Sequence, residues 1–323
     1  MRKIEELWKE AGVQQRIALD RCPVKLNEKQ RVNVLALGDV GMTVLLGLKL
    51  LGGDVIESIG ICDINKANVE RLEQEMNQIR TPFDPVELPK VYGVEEGALF
   101  DCDVVVFCAS KGIPPIGVKG DVRMAQLEAN REIITHYGTL AKKSGFQGLV
   151  AVVSDPVDPL CKAFLQASGL HPAQVQGYGL GVMHARACYY AEKDARFAAY
   201  LEEGRAFGPH GGDLVIANSV AAYDEALSRE LTDLTVNANM QVRELGYKPY
   251  IAPAVSSAAI PILLTLRGEW HYGSLYFGDE ETGAFLGIKN CMTPEGPVYE
   301  ALAIPDLLYR RIKKAYDNLC NLR

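Results

Sequence analysis

The sequence has no long apolar run, no basic cluster and no cysteine spacing typical of a zinc site. Without an apolar run of about twenty residues, no membrane-spanning helix is expected, and the charged first 19 residues do not resemble a secretory signal peptide. The 34 Lys and Arg residues against 41 Asp and Glu give a net charge of −7, which argues against a nucleic acid or membrane partner. The eight scattered cysteines favour a reducing compartment, so we expect a cytoplasmic protein with no metal site.

A glycine turn between a strand and a helix is the strongest motif. Residues 32–37 form a short apolar run, and the helical pattern begins after Gly38 and Gly41. Such a turn directs free N–H groups and the positive end of the helix dipole at one point, which attracts phosphate. The usual dinucleotide pattern is G-x-G-x-x-G, and its first glycine is Ala36 here. Alone, the remaining glycine pair fits an ordinary strand–turn–helix equally well.

An acidic residue at the end of the next strand strengthens the interpretation. Asp63 follows the apolar run at 59–62 and precedes a polar, amphipathic helix over 65–79. A carboxylate at this position accepts hydrogen bonds from a ribose 2′-hydroxyl and repels a 2′-phosphate. The alternative is an ordinary helix N-cap. Together, the two features favour dinucleotide binding, with NAD preferred over NADP.

The order of elements indicates an α/β fold. Buried strands at 103–109, 148–154 and near 174–178 alternate with helices, which implies a doubly wound parallel sheet over 31–180. Residues 1–30 form an amphipathic arm that packs on a neighbouring subunit or on its own chain. Over 181–323 we predict a second, α+β unit with helices at 182–202, 214–245 and 300–319, and with strands at 263–277 that turn at Gly268 and Gly273.

Motifs in both halves resemble the NAD-dependent L-lactate/L-malate dehydrogenase family. The matching segments include the acid-tipped second strand, and further matches are 104–110, 123–130, 154–158, Ala185-Arg186 and Gly208-x-His210-Gly211. The resemblance covers most of the chain from about Val32 onward. It implies a doubly wound parallel Rossmann sheet followed by an α+β catalytic domain, NAD as cofactor, and a homodimer or homotetramer.

The resemblance also implies roles for individual residues. His210 would exchange a proton with the substrate oxygen, Arg186 would hold the substrate carboxylate through a bidentate fork, and Arg123 would polarise the carbonyl from a closing loop. The implied cofactor contacts come from Gly38, Val40, Gly41, Met42, Asp63, Ala109, Ser110, Asn130 and Ser154.

Four positions depart from the family pattern. Met183 replaces the aspartate that orients the catalytic histidine, and Asp155 replaces an asparagine that touches the reacting oxygen. Gly117 offers neither charge nor bulk at the position that separates lactate from malate. Lys248 stands where a small residue is common, and it either binds a distal anionic group of the substrate or faces solvent.

These departures leave three hypotheses. The first is a 2-hydroxyacid dehydrogenase with an atypical small-molecule substrate, in which Asp155 has taken over the carboxylate role lost at Met183. The second is a catalytically silent NAD-binding protein in which Asp155 marks an inactive site. The third, metal-assisted glycoside cleavage, lacks a compact ligand set, because Cys161 and His171 are poor candidates. Retention of both arginines and His210 favours the first hypothesis.

Overall fold

The computed structural model describes residues 1–83, 86–111 and 122–322, and of 122–126 the backbone alone. The strands are β1 (Gln30–Leu35), β2 (Ile56–Cys62), β3 (Lys90–Gly93), β4 (Val104–Phe107), β5 (Leu149–Val152), β6 (Val175–Gly177), β7 (Arg205–Phe207), β8 (Val215–Ala217), β9 (His271–Gly278), β10 (Gly283–Thr293) and β11 (Gly296–Tyr299). The α-helices are α1 (Glu6–Glu10), α2 (Asp39–Leu51), α3 (Lys66–Asn77), α4 (Val122–Ser144), α5 (Val157–Ser168), α6 (Leu180–Lys193), α7 (Tyr200–Glu203), α8 (Glu225–Glu244), α9 (Ile260–Arg267) and α10 (Asp306–Asn321).

Six parallel strands form the predicted doubly wound sheet. Their order is β3-β2-β1-β4-β5-β6, so the order reverses between β1 and β4. β4 and β5 are buried at every residue, as expected for strands covered by helices on both faces. The carboxyl ends of β1 and β4 lie side by side at the switch point, and ligands of open α/β sheets bind in the crevice there.

Three strands from the second half extend the same sheet. β9 pairs antiparallel with β6 at Gly177 and Ser274, and β10 and β11 continue outward from β9. A Cβ on Gly273 would lie 3.2 Å from the carbonyl oxygen of Gly177, so a glycine suits this close approach of two backbones. A single nine-stranded sheet contains strands from both sides of residue 180, where the sequence predicted a domain boundary. The division into two domains stays a prediction.

Two predicted segments in the second half are wrong. The stretch 214–245, predicted as one helix, contains β8 and then α8, because Ser228 and Thr232 on α8 bind the backbone N–H groups of Asn218 and Ile216. The stretch 263–277, predicted as strands, begins inside α9, and Gly268 ends that helix in the left-handed conformation. Gly273 lies within β9 and not in a turn.

Two further helices differ from their predicted ranges. The helix predicted at 182–202 is α6 followed by a separate short helix, α7, because Asp194 caps a new turn through its side chain. The final helix begins at Asp306 and not at 300.

The N-terminal arm packs on its own chain. The Trp8 ring stacks on Phe277 of β9 with ring centroids 5.5 Å apart, and Ile4 and Leu7 are buried in the same cluster. Arg2 and Ile304 exchange two backbone hydrogen bonds, which fasten the arm beside α10. The arm thus makes the intrachain contacts, and packing on a neighbouring subunit stays a prediction. None of the helices in the described ranges is both long and apolar enough to cross a membrane.

Candidate functional site

The turn between β1 and α2 has the geometry of a phosphate site. Gly38 is the N-cap of α2, and a Cβ added to it would meet nothing within 4 Å, so its surface is open to a ligand. A Cβ on Gly41 would lie 1.9 Å from the carbonyl oxygen of Ala36, so only glycine allows α2 to start this close to β1. The first N–H groups of α2 have no partner within the helix and point toward the opening.

Ala36 adopts a conformation that favours glycine. Its φ is +69°, in the left-handed region, and this is the position where the usual motif has its first glycine. The turn therefore keeps its shape although the first glycine is missing.

A cavity of about 1040 Å³ opens from this turn along the carboxyl ends of the parallel strands. Its volume lies at the top of the range of small-molecule sites. The predicted cofactor residues that line it are Gly38, Val40, Gly41, Asp63, Ala109, Ser110 and Ser154. Met42 and Asn130 are not among its lining residues. Asn130 is buried and binds the backbone of Lys111 and Asp155, at 2.9 and 2.7 Å, so it holds two loops that border the cavity.

Asp63 is fixed at the cavity wall by two backbone donors. Its Oδ2 accepts from the N–H of Leu37 at 2.6 Å, and its Oδ1 accepts from the N–H of Asn65 at 2.8 Å. The carboxylate is thus held next to the glycine turn, where it can meet the ribose of a dinucleotide. Asn65, and not Asp63, caps α3.

Several lining residues were not found from the sequence, and four of them carry polar groups on β3–α4 segments of the cavity wall. Glu95 and Glu96 follow β3, and His136 and Tyr137 lie on α4. The Tyr137 hydroxyl donates to Glu96 Oε1 at 3.0 Å. The position of the two glutamates directly after a parallel strand was a usable signal, since ligands bind at the carboxyl ends of such strands.

Asp155 lines the same cavity and is paired with His210, whereas His210 and Arg186 are not among the lining residues. His210 Nδ1 lies 2.9 Å from Asp155 Oδ1, and Asp155 lines the cavity three residues after β5. His210 follows β7 by three residues and packs on Gly179, where an added Cβ would lie 2.9 Å from the His210 Cβ. The pair has the contact expected if Asp155 supplies the carboxylate that Met183 cannot.

The surroundings of His210 raise its pKa. Burial by itself would lower the pKa of the imidazole, and the charge and hydrogen bond of Asp155 more than reverse this effect. Arg186 acts in the lowering direction and Asp158 in the raising direction. The charged form of His210 therefore persists to higher pH than that of a free histidine.

Arg186 is a half-buried cation beside this pair. It lies on α6, and its Nη1 contacts the sulfur of the buried Met183 at 3.7 Å. Burial lowers its pKa, and Asp155 opposes that effect through its charge. Within the described ranges, no carboxylate stands at salt-bridge distance from Arg186. Its guanidinium is thus available for an anionic ligand.

Asp158 is a second carboxyl in the same group, and the sequence reasoning gave it no role. It lies on the first turn of α5 and is 3% exposed. Burial raises its pKa to about 7. Its place three residues after Asp155 was visible in the sequence, but its burial was not.

Comparison with known proteins decides the family of the first half. A family model described as lactate/malate dehydrogenase, NAD binding domain, matches residues 30–177. These residues belong to the lactate/malate dehydrogenase family. NAD is the cofactor of this domain, and the glycine turn, the cavity and the placement of Asp63 fit it.

Curated relatives support the same family. An L-lactate dehydrogenase of Treponema denticola is 32% identical over 189 residues, which are 57% of this chain and 56% of the relative. An L-lactate dehydrogenase of Oceanobacillus iheyensis is 30% identical over 162 residues, 50% of this chain and 49% of the relative. The chain thus matches only about half the length of these relatives.

Solved structures extend the likeness in fold to most of the chain. A lactate dehydrogenase from a Medee basin deep-sea metagenome library superposes with a TM-score of 0.72 at 19% identity, over 90% of this chain and 96% of that chain. The malate dehydrogenase of Picrophilus torridus gives a TM-score of 0.70 at 18% identity, over 90% and 95%. The predicted α/β fold, a Rossmann sheet followed by an α+β part, is thereby confirmed.

Three further residues were predicted to contact the substrate, and the structure describes the side chain of only one of them, Lys248. The Lys248 side chain is 81% exposed, and its Nζ pairs with Asp39 Oδ2 at 3.0 Å at the start of α2, so it faces solvent at the glycine turn. Gly117 lies outside the described residues. Arg123 is on the first turn of α4, and its side chain is likewise outside the description.

The sequence offered Cys161 and His171 only as poor candidates for a metal site. Cys161 is fully buried in α5, and His171 caps a turn through its Nδ1, which accepts from the N–H of Ala173 at 3.3 Å. In the described part of the chain, no three His, Cys, Asp or Glu side chains are grouped so that they could hold a metal ion.

Proposed function

We propose that the protein interconverts a 2-oxo acid and a 2-hydroxy acid with NAD as the redox partner. The observation that carries this proposal is the His210–Asp155 pair, because Asp155 lines the cofactor cavity, contacts His210 and interacts electrostatically with Arg186. An acid/base group, an orienting carboxylate and an anion-binding guanidinium are the groups that such a reaction needs.

His210 would supply the proton. Its Nδ1–H donates to Asp155, so the Nε2–H is the donor left for the substrate oxygen. Bound NADH supplies the hydride in the reducing direction. The raised pKa favours the charged form of His210 relative to a free histidine, so a proton is more readily supplied when the oxygen becomes negative.

Arg186 would bind the substrate carboxylate through its planar fork, and this charge offsets the cost of placing Asp155 near an anionic substrate. Arg123 and Gly117 remain proposed contacts from the loop before α4. The substrate differs from simple lactate or malate in this proposal, because Asp155 and Gly117 replace the family's usual residues.

We also propose a cytoplasmic homodimer or homotetramer, as the family resemblance implies. Light scattering after size-exclusion chromatography measures the subunit count, and a monomer at micromolar concentration would contradict this part of the proposal.

The central experiment follows NADH absorbance against a panel of 2-oxo acids that includes bulky, aromatic and dicarboxylic members. Turnover that is lost in His210→Gln supports the proposal. Tight NADH binding without turnover of any member would favour the silent NAD-binding protein.

Asp155→Asn then tests the orienting role. If Asp155 holds the charge of His210, the variant reduces substrate more slowly, and its rate declines at lower pH because the imidazole loses its proton more easily. A gain of turnover on simple 2-oxo acids with an unchanged pH profile would instead make Asp155 a specificity residue.

A further inference from the structure

Asp158 is a buried carboxyl with an unsatisfied oxygen. Among the residues that the structure describes, its buried Oδ1 has no hydrogen-bond partner, while its carboxylate receives a hydrogen bond from Ser274 on β9. Buried carboxyl oxygens are normally satisfied, and an exception calls for an explanation. A protonated carboxyl is one explanation, because it removes the charge that burial disfavours.

Asp158 also connects the reaction site with a second cavity. On one side it lies in the first turn of α5, three residues after Asp155, whose carboxylate contacts His210, and its charge acts on both groups. On the other side it lines a cavity of about 660 Å³ that is bordered by α4, α5 and α10. The charged or titratable groups around Asp158 are His210, Asp155 and Cys161 near the site, and Arg131, Lys162, Glu281 and Cys320 along the cavity.

We propose that Asp158 is a positioning residue for the proposed reaction, one that exchanges a proton through the second cavity and, once ionised, holds His210 in its charged form. The effect of Asp158 on catalysis rests on the proposed function. The electrostatic coupling of Asp155, Asp158 and His210 does not depend on it.

The coupling has a definite sign. At low pH, Asp158 is neutral, and Asp155 alone supports the charge of His210. As the pH passes about 7, Asp158 ionises, and its negative charge strengthens the hold of His210 on its proton. The two groups therefore titrate as a linked pair, and Asp158 extends the pH range over which His210 can act as an acid.

The direct test is NMR titration of the His210 imidazole in the NADH-bound protein, with the signal assigned by its absence in His210→Gln. In native protein, the His210 curve should inflect where the Asp158 carboxyl carbon titrates. In Asp158→Asn, the curve should have a single step at lower pH. Glu281→Gln is the matched control, since Glu281 borders the same cavity and loses the same charge outside the His210–Asp155 pair, and it should leave the curve unchanged.

Kinetics give the second readout, with the best 2-oxo acid of the panel as probe. In Asp158→Asn, kcat/KM relative to native should fall about threefold or more at pH 8.5, because a lost charge interaction of about 0.7 kcal/mol corresponds to that factor. At pH 6 the two proteins should differ little. A merely structural Asp158 would lower kcat/KM equally at both pH values.

The outcomes separate the two proposals. An unshifted His210 titration in a folded Asp158→Asn protein overturns the coupling, whether or not the enzyme turns over. Coupled titration without turnover of any 2-oxo acid keeps the coupling and rejects the proposed function. If Asp158→Asn fails to fold, independent titration of Asp158 and His210 in native protein refutes the inference by itself.

Discussion

Replacing Ala36 with glycine should stabilise the protein, although glycine usually destabilises. Ala36 has φ +69°, and a Cβ in the left-handed region costs about 1–2 kcal/mol. Glycine removes that cost but gives the unfolded chain more freedom, worth about 0.5–1 kcal/mol. The expected net gain for Ala36→Gly is therefore about 0.5–1 kcal/mol.

The matched control is Ala238→Gly, in the interior of α8. There the backbone is helical, so no strain is relieved, and glycine should cost about 1 kcal/mol. Urea unfolding followed by tryptophan fluorescence measures both variants against native protein, and the two midpoints should move in opposite directions. If Ala36→Gly unfolds at a lower urea concentration than native protein, the strain argument for this turn is refuted.

Three further predictions follow from the charged groups. NADH should bind more tightly than NADPH by at least tenfold in calorimetry, because the fixed Asp63 carboxylate would face a 2′-phosphate; equal affinities would contradict this. Arg186→Lys should raise KM for a 2-oxo acid by the equivalent of about 2 kcal/mol through loss of the planar fork, and an unchanged KM would make the arginine structural. Glu300→Gln should cost about 2 kcal/mol at pH 7, since Arg205 binds Glu300 in bidentate fashion at 2.6 and 2.8 Å. Burial would raise the pKa of Glu300, but hydrogen bonds and charge from Arg205 and a neighbouring lysine lower the pKa below its ordinary value of 4.5. The stabilisation by Glu300 is therefore present above pH 4.5 and should vanish as the pH falls through the lowered pKa.

The sequence predicted the first half of the fold better than the second. In the first half, apolar runs, glycine turns and the alternation of strand and helix patterns identify each element from its own local sequence. The order of elements up to β6 could therefore be predicted. In the second half, β8 is three residues long and acquires its pairing from β7, while α9 has few polar residues to mark a face. Short strands and largely buried helices depend on their neighbours, so local patterns misassigned them.

The chemistry of the candidate site was visible in residue types, whereas the pairing of Asp155 with His210 was only one of two alternatives that the family resemblance left open. Motifs were enough to identify Asp63, Arg186 and His210, because the ionisable group of a side chain is the same in every fold. The sequence by itself thus determined the glycine turn, the acid at the second strand and the groups available for proton transfer and anion binding. Only the tertiary structure decided that Asp155 and His210, 55 residues apart, meet at 2.9 Å, and that Asp158 is buried behind them. The physical reason is that charge is a property of a residue, whereas distance and burial, which set pKa and hydrogen bonding, arise only when distant segments pack together.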